Sequence, residues 1–245
     1  MRRLIMCVAL ALAATATASA TTVDELVQKN IEARGGEDAL RAIQSVTLHG
    51  RMNFSGGDFS VDLGFVNMTE RGLKQRTEAT LQGLTQVSAF DGKEGWTISP
   101  FQGRRDPERL SAEDTKGMQV EADIDGPLLD WREKGHQVEY LGTEDVDGTE
   151  AHKLKLTLSN GDIQYRYLDP DYFLEIRITT QMKRRGIETE METELGNYEL
   201  VNGVYLPFAV ESGPKGGPRG QKILVERAEV NTDIDDALFA FPTQP

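Results

Sequence analysis

The chain has almost no cysteine, almost no histidine and no long apolar run. Its single cysteine, Cys7, lies near the start. The rest of the chain is therefore held without disulfides and rests on its core. Three histidines, His49, His136 and His152, show no metal-ligand spacing, and no cysteines stand ready to complete a zinc site. Asp123 with Asp125, and Asp233 with Asp235 and Asp236, lack the glycine and closing glutamate of a calcium loop. There is no nucleophile-elbow serine and no phosphate-binding glycine loop. No pair of carboxylates is marked out for acid–base work. The sequence thus predicts no metal, no cofactor, no catalytic residue and no enzyme. A carboxylate-pair hydrolase would return only if folding set two acids face to face inside the molecule. Positive charge is also scarce, with 27 Lys and Arg against 40 Asp and Glu and a formal charge of −13. Such a surface repels nucleic acid, which is excluded as a partner.

What the chain does have begins with a leader. Arg2 and Arg3 precede a short apolar run over residues 4–14, and Ala18-Ser19-Ala20 is an A-x-A cleavage signal. The run is too short to span a bilayer. Ile5 and Met6 before Cys7 are not the small residues a lipid-anchor signal uses. The expectation is a signal peptide over residues 1–20, cleaved after Ala20. The mature part, residues 21–245, is expected to be one domain: exported, soluble, periplasmic, not lipid-anchored and monomeric.

Thr22 with Glu25 is a capping box. It opens a helix over residues 22–34 that Gly35-Gly36 stops, and a shorter helical piece over residues 37–43 follows. From Ser45 the apolar period drops from near 3.6 to 2, and turn signals recur roughly every ten residues. Asp91-Gly92, Asp147-Gly148 and Asn160-Gly161 read as hairpin turns. About eleven strands are predicted in an antiparallel meander, each apolar on one side and wet on the other. Glu188, Glu190, Glu192 and Glu194 share one face of a strand and must look outward, because unpaired buried carboxylates are costly. Residues 213–220 read as a mobile loop.

The meander breaks between Arg104 and Gly135. Ser111 with Asp114 starts one helix there, and Pro127 starts a second that carries Leu128, Leu129 and Trp131. An insertion with its own helices is read either as a lid or as a helical plug. A large one-sided sheet must curl around its apolar face or cover it. The few helices leave inner volume for an apolar cavity. The basic clusters Arg104-Arg105 and Lys183-Arg184-Arg185 read as solvated turn charge, or as docking points for phosphate head groups or an acidic partner.

The run Asp91-Gly92-Lys93, then Trp96, then Pro100-Phe101 resembles a motif of the LolA-like periplasmic lipoprotein carriers. The closing run Asp235 to Pro242 is similar to that family's ending. Gly35-Gly36, Tyr198, Asn202-Gly203-Val204 and Pro207-Phe208 are similar to outer-membrane lipoprotein-sorting relatives. The resemblance implies a mainly β fold: an incomplete antiparallel barrel of about eleven strands, with an N-terminal helix and inserted lid helices. It implies a carrier that binds lipid or lipoprotein acyl chains in an apolar cavity during outer-membrane biogenesis. An inner-membrane transporter or regulator would be its protein partner. The alternative is a sensor or binding module of the same fold engaging a membrane partner. Inward strand residues would line the cavity: Leu63, Phe65, Trp96, Ile98, Leu154, Leu156, Tyr165, Ile176, Met191, Leu206 and Phe208. Leu128, Leu129 and Trp131 would form the lid. The family's Arg-Pro turn, which governs release, is matched in part by Arg71-Gly72. The missing proline and the longer insertion imply a paralogue with a different cargo.

Overall fold

The computed structural model describes residues 21–184 and 186–242. The leader and its cleavage site lie outside the described residues, as does Arg185 of the basic cluster. The first helix, α1 (Val23–Ala33), forms as its capping box predicts. Thr22 Oγ1 accepts from the Glu25 amide at 3.2 Å, and the Glu25 carboxylate accepts from the Thr22 amide at 2.9 Å. Its apolar face, Leu26, Val27 and Ile31, is buried. Gly35 ends it with φ +125°, where a Cβ would lie 2.2 Å from the Gly203 carbonyl oxygen. Only glycine fits there, so the end of α1 docks directly on a sheet turn. A short helix, α2 (Glu37–Ala42), follows.

Thirteen strands then form one antiparallel sheet. The first group is β1 (Ser45–Gly56), β2 (Phe59–Glu70), β3 (Lys74–Leu81), β4 (Leu84–Asp91), β5 (Gly95–Ser99) and β6 (Arg104–Arg109). The second is β7 (Gln137–Val146), β8 (Thr149–Thr157), β9 (Ile163–Leu168), β10 (Glu175–Arg184), β11 (Ile187–Val201), β12 (Val204–Pro214) and β13 (Gln221–Val230). The spatial order is β6-β5-β4-β3-β2-β1-β13-β12-β11-β10-β9-β8-β7. The chain enters at a central strand and runs outward by hairpins to the edge at β6. It then crosses over residues 110–136, which include α3 (Ala112–Glu121), to the other edge at β7. From there it returns inward until β13 closes against β1. Val46 of β1 shares a core cluster with Leu154 and Leu156 of β8. These strands stand six places apart, ~29 Å in a flat sheet at the usual strand spacing. The sheet therefore curls around its inner face, with its edges β6 and β7 unpaired to each other.

The strand count exceeds the expected eleven. The clearest addition is β6, whose Arg-Arg-Asp-Pro-Glu-Arg sequence has no apolar alternation because it lies exposed at an edge, where proline is tolerated. The second inserted helix does not form. Residues 127–135 fold as consecutive turns, with Asp130 at φ +55°. The Asp91-Gly92 hairpin differs too. Only Gly92 takes positive φ, and the Asp91 carboxylate accepts from the Lys93 and Glu94 amides at 2.9 and 2.8 Å. Asp147-Gly148 and Asn202-Gly203 do take positive φ at both positions.

The outer face is covered in two places. Trp96, 1% exposed, packs with Val87 and Ala89 beneath the C-terminal segment. Its indole N–H donates to the Phe239 carbonyl at 2.8 Å, and Phe241 meets its ring edge-on at 6.3 Å. Arg109 lies over the Phe241 ring at 3.8 Å, and Lys74 pairs with Asp236 at 2.5 Å. The second cover is the loop after β12. Lys215 pairs with Glu190, and Arg219 pairs with both Glu192 and Glu194, each at 2.8 Å. The glutamate row faces outward as predicted, but under a folded strap of basic residues. Gly213 makes the strap possible, since a Cβ there would sit 2.2 Å from the Pro218 oxygen.

Phe239 is fully buried, so Phe239→Ala should cost about 3–5 kcal/mol. Chemical denaturation would show the loss as a lower midpoint, with a red shift of tryptophan emission in the native state. An unchanged midpoint would mean that the C-terminal segment contributes nothing to the stability of the sheet.

Candidate functional site

The inside of the curled sheet is filled at one end and hollow at the other. The filled end is built by α1 and the crossing segment. Leu128 and Leu129, 1% and 2% exposed, pack with Leu26, Val27 and Ile31 of α1 and with Leu154 and Leu156 of β8. Trp131 packs on the margin of this plug, with the Arg132 guanidinium 3.9 Å over its ring.

A polar clamp holds the plug in place, and Arg71 is its centre. From the β2–β3 turn its guanidinium makes a two-pronged bond to the Asp125 carboxylate, at 2.7 and 2.9 Å, while Nε donates to the Ile43 carbonyl at 2.9 Å. Arg34 at the end of α1 donates to the Asp125 carbonyl at 2.9 Å. Lys134 pairs with Asp123 at 2.5 Å and donates to the Gly126 carbonyl at 2.8 Å. Of the aspartates weighed as calcium ligands, Asp123 and Asp125 are thus held by cations, and among the described residues no acidic or histidine cluster could hold a metal. Arg41 pairs with Asp130 at 2.7 Å, and that hydrogen bond holds the Asp130 carboxyl below its ordinary range.

His136 closes the clamp's outer side and borders a cavity of about 410 Å³ between α3 and the β8–β9 turn. Its Nδ1 accepts from the Ser159 amide at 3.1 Å, so the ring is neutral here. Burial, and then the charge of Lys134, push its pKa below the ordinary 6.5. His152 is lowered the same way, by burial and then by Lys29, while it hydrogen-bonds the Tyr140 hydroxyl at 3.0 Å.

The hollow end lies between β1, β2, β3, β4 and β13, at the opposite end of β2 from Arg71. A cavity of about 630 Å³ opens there. Met52, Leu63, Phe65 and Ala79 form its packed apolar wall. Phe54, Phe59 and Phe101, 38%, 62% and 41% exposed, stand around its mouth. Thr77, Gln86 and Ser88 add an uncharged polar strip from β3 and β4. No lining residue carries a charge.

The eleven residues predicted to line one cavity are therefore split. Leu63 lines it and Phe65 backs it. Leu154, Leu156 and Leu206 belong to the plug. Register puts Met191 and Phe208 on the inner face, on β11 and β12. Trp96 and Ile98 face outward beneath the C-terminal segment, and Tyr165 and Ile176 pack outward with Val146 and Tyr167. Alternation identified an apolar side on each of those strands, but on these that side is the covered outer face. The residues missed are Met52, Phe54, Phe59, Val61, Leu81 and Phe101 at the open end. Their signal in the sequence is the pair Phe54 and Phe59 flanking the Ser55-Gly56-Gly57-Asp58 turn, and Phe101 after Pro100.

Two outcomes test the clamp. Arg71→Ala should lose roughly 2 kcal/mol, discounted because the arginine is about one-third exposed. It should also speed amide exchange across residues 122–136 before the rest of the sheet. Equal exchange in the variant and the parent would dissolve the clamp. The His136 linkage has a definite sign. Its folded pKa lies below its unfolded value, so its contribution is complete above about pH 6.5 and is lost as pH falls through the folded pKa. His136→Asn keeps an acceptor for Ser159 without titrating. Its melting temperature should therefore fall less than the parent's between about pH 7 and about pH 5.

No protein-family model and no curated protein matches the sequence. Solved structures do. A LolA-superfamily protein from Nitrosomonas europaea superposes with TM-score 0.60 at 14% identity, over 90% of this chain and 98% of that one. A DUF1329-family protein from Desulfovibrio piger superposes with TM-score 0.60 at 13% identity, over 89% and 97%. A domain described as outer-membrane lipoprotein-sorting, from Vibrio parahaemolyticus, gives 0.59 at 12% identity, over 87% and 94%. The curled open sheet thus sits on a known frame: the chain has the LolA-like fold.

Proposed function

We propose that this protein binds the acyl chain of a lipid or lipidated protein in the open-ended cavity and carries it through the cell envelope without chemistry. The observation that carries this reading is the 630 Å³ apolar hollow with a rim of exposed phenylalanines and no charge in its lining. A domain evolved only for stability would collapse such a volume, because empty apolar space forfeits packing. Each methylene moved from water into the cavity is worth about 0.8 kcal/mol. A short cavity with an open mouth takes up only part of a chain, which leaves the net affinity low enough for hand-off. No helix among the described residues is long and apolar enough to cross a membrane. Together with the leader motif, this supports an exported, periplasmic carrier. A membrane transporter or regulator would meet it at the phenylalanine rim.

Arg71 and the crossing segment lie at the far end from the mouth, so the lid role expected of Leu128, Leu129 and Trp131 becomes that of a plug. Entry needs no lid opening here. Arg71 would act on release only by loosening the plug.

Native mass spectrometry of protein isolated from a periplasm, with lipid extraction of the same sample, tests the function. Discrete acyl-lipid adducts are expected. A clean mass that stays clean on adding acyl lipid would refute it. Two variants localise the site. Ala79→Trp fills the hollow and should abolish adducts while the fold persists. Leu129→Asp buries a charge in the plug and should unfold the protein rather than act selectively on uptake.

A further inference from the structure

The cavity wall specifies more of the ligand than its hydrocarbon, given the ligand-binding function proposed above, on which this inference rests. Strand register sets Asn67 opposite Thr77, Thr77 opposite Ser88, and Ser88 opposite Thr97. Alternation from Leu63 and Ala79 puts all four on the inner face. They form an uncharged polar row across β2 to β5, one level deeper than Phe65. Gln86, opposite Ala79, extends the row toward the mouth. Asn67 donates to Thr77 Oγ1 at 2.8 Å, and the Thr97 hydroxyl donates to the Val87 carbonyl at 2.8 Å. Gln86 and Ser88 are half-buried in the wall and have no side-chain hydrogen-bond partner among the described residues. Beyond them the wall turns apolar through Leu63 and Leu81 out to the phenylalanine rim, where Gln221, opposite Phe54, spends its amide on the Met52 sulfur.

We propose that the cavity takes a single-chain amphiphile head first, which narrows the cargo proposed above to lipids with a small uncharged head and leaves out a lipidated protein, whose head cannot enter 630 Å³. An uncharged hydrogen-bonding head (a hydroxyl, ester or amide) would sit against Ser88 and Gln86, and the chain would run outward past Leu63 to Phe59. A chain end pushed inward would instead dehydrate Ser88 and Gln86 without replacing their bonds to water. An anionic head would be buried with no cation in the lining. The volume is that of a site for one small ligand, within the ordinary range of roughly 300–1,000 Å³.

The test uses dodecanol, dodecane and dodecanoate in competition against a fluorescent alkyl probe, with the parent and with Gln86→Leu combined with Ser88→Ala. Dodecanol should bind about five- to tenfold tighter than dodecane, the gain expected of one neutral hydrogen bond. Dodecanoate should bind more weakly than dodecanol. The double variant should bind dodecane as the parent does and lose the preference for the alcohol, with melting checked to show that it folds. A dodecanol carrying a diazirine at its chain end then reports direction. Labelling of Phe54, Phe59 or Phe101 supports head-first entry, and labelling within residues 67–88 overturns it. Equal affinity for all three compounds, with labelling inside the cavity, overturns the polar-head specificity alone. No binding of any of them, or labelling elsewhere, overturns the cavity function itself.

Discussion

Asp125 under Arg71 is the contact on which the rest of this architecture depends. A curled sheet whose edges do not pair needs something to bridge the gap, and here it is the segment that joins β6 to β7. That segment has little regular structure after α3, so its own backbone cannot hold it. Its position is set by two arginines from different elements that converge on one aspartate, through its carboxylate and its carbonyl. With the segment fixed, Leu128 and Leu129 are pressed against α1 and β8, and one end of the interior becomes a packed core. The bond matters beyond its own energy, because it determines which end of the sheet is filled.

The hollow end follows from the same division. The helices and the crossing segment are spent on the plug, so nothing is left to cover Met52, Leu63, Phe65 and Ala79 at the other end of the strands. Phenylalanines ring the opening instead. This places the open mouth of the cavity and the polar clamp at opposite ends of the molecule. The proposed ligand site and the contacts that hold the fold are thereby separated, a different arrangement from a lid that closes over its own cargo.

The outer face shows why one-sided strands were harder to orient than to detect. The C-terminal segment lays Phe239 and Phe241 over Trp96, and the loop after β12 lays Lys215 and Arg219 over the glutamate row. An apolar tryptophan beneath a strap has the same period-2 signature as one lining a cavity. The glutamates, by contrast, were oriented correctly from sequence, because burying four of them unpaired would cost too much, and their cover duly brings the opposite charge.

Much was written in the sequence by local rules. The capping box of α1, the Ser111 cap of α3, the period-2 alternation and the Asp147-Gly148 turn depend on residues within a few positions of each other. So did the motif that led to the LolA-like fold. Edge strand β6 escaped detection because an exposed edge needs no alternation. The turns of residues 127–135 read as a helix in the sequence because Pro127 opens both. Tertiary structure alone decided which face of each strand is inside, which interior residues are plug and which are cavity, and what Arg71 holds. Alternation records that two faces differ, but a curled sheet with straps outside and a plug inside makes either face apolar. Only the long-range contacts between β1, β8, α1 and the crossing segment break that symmetry.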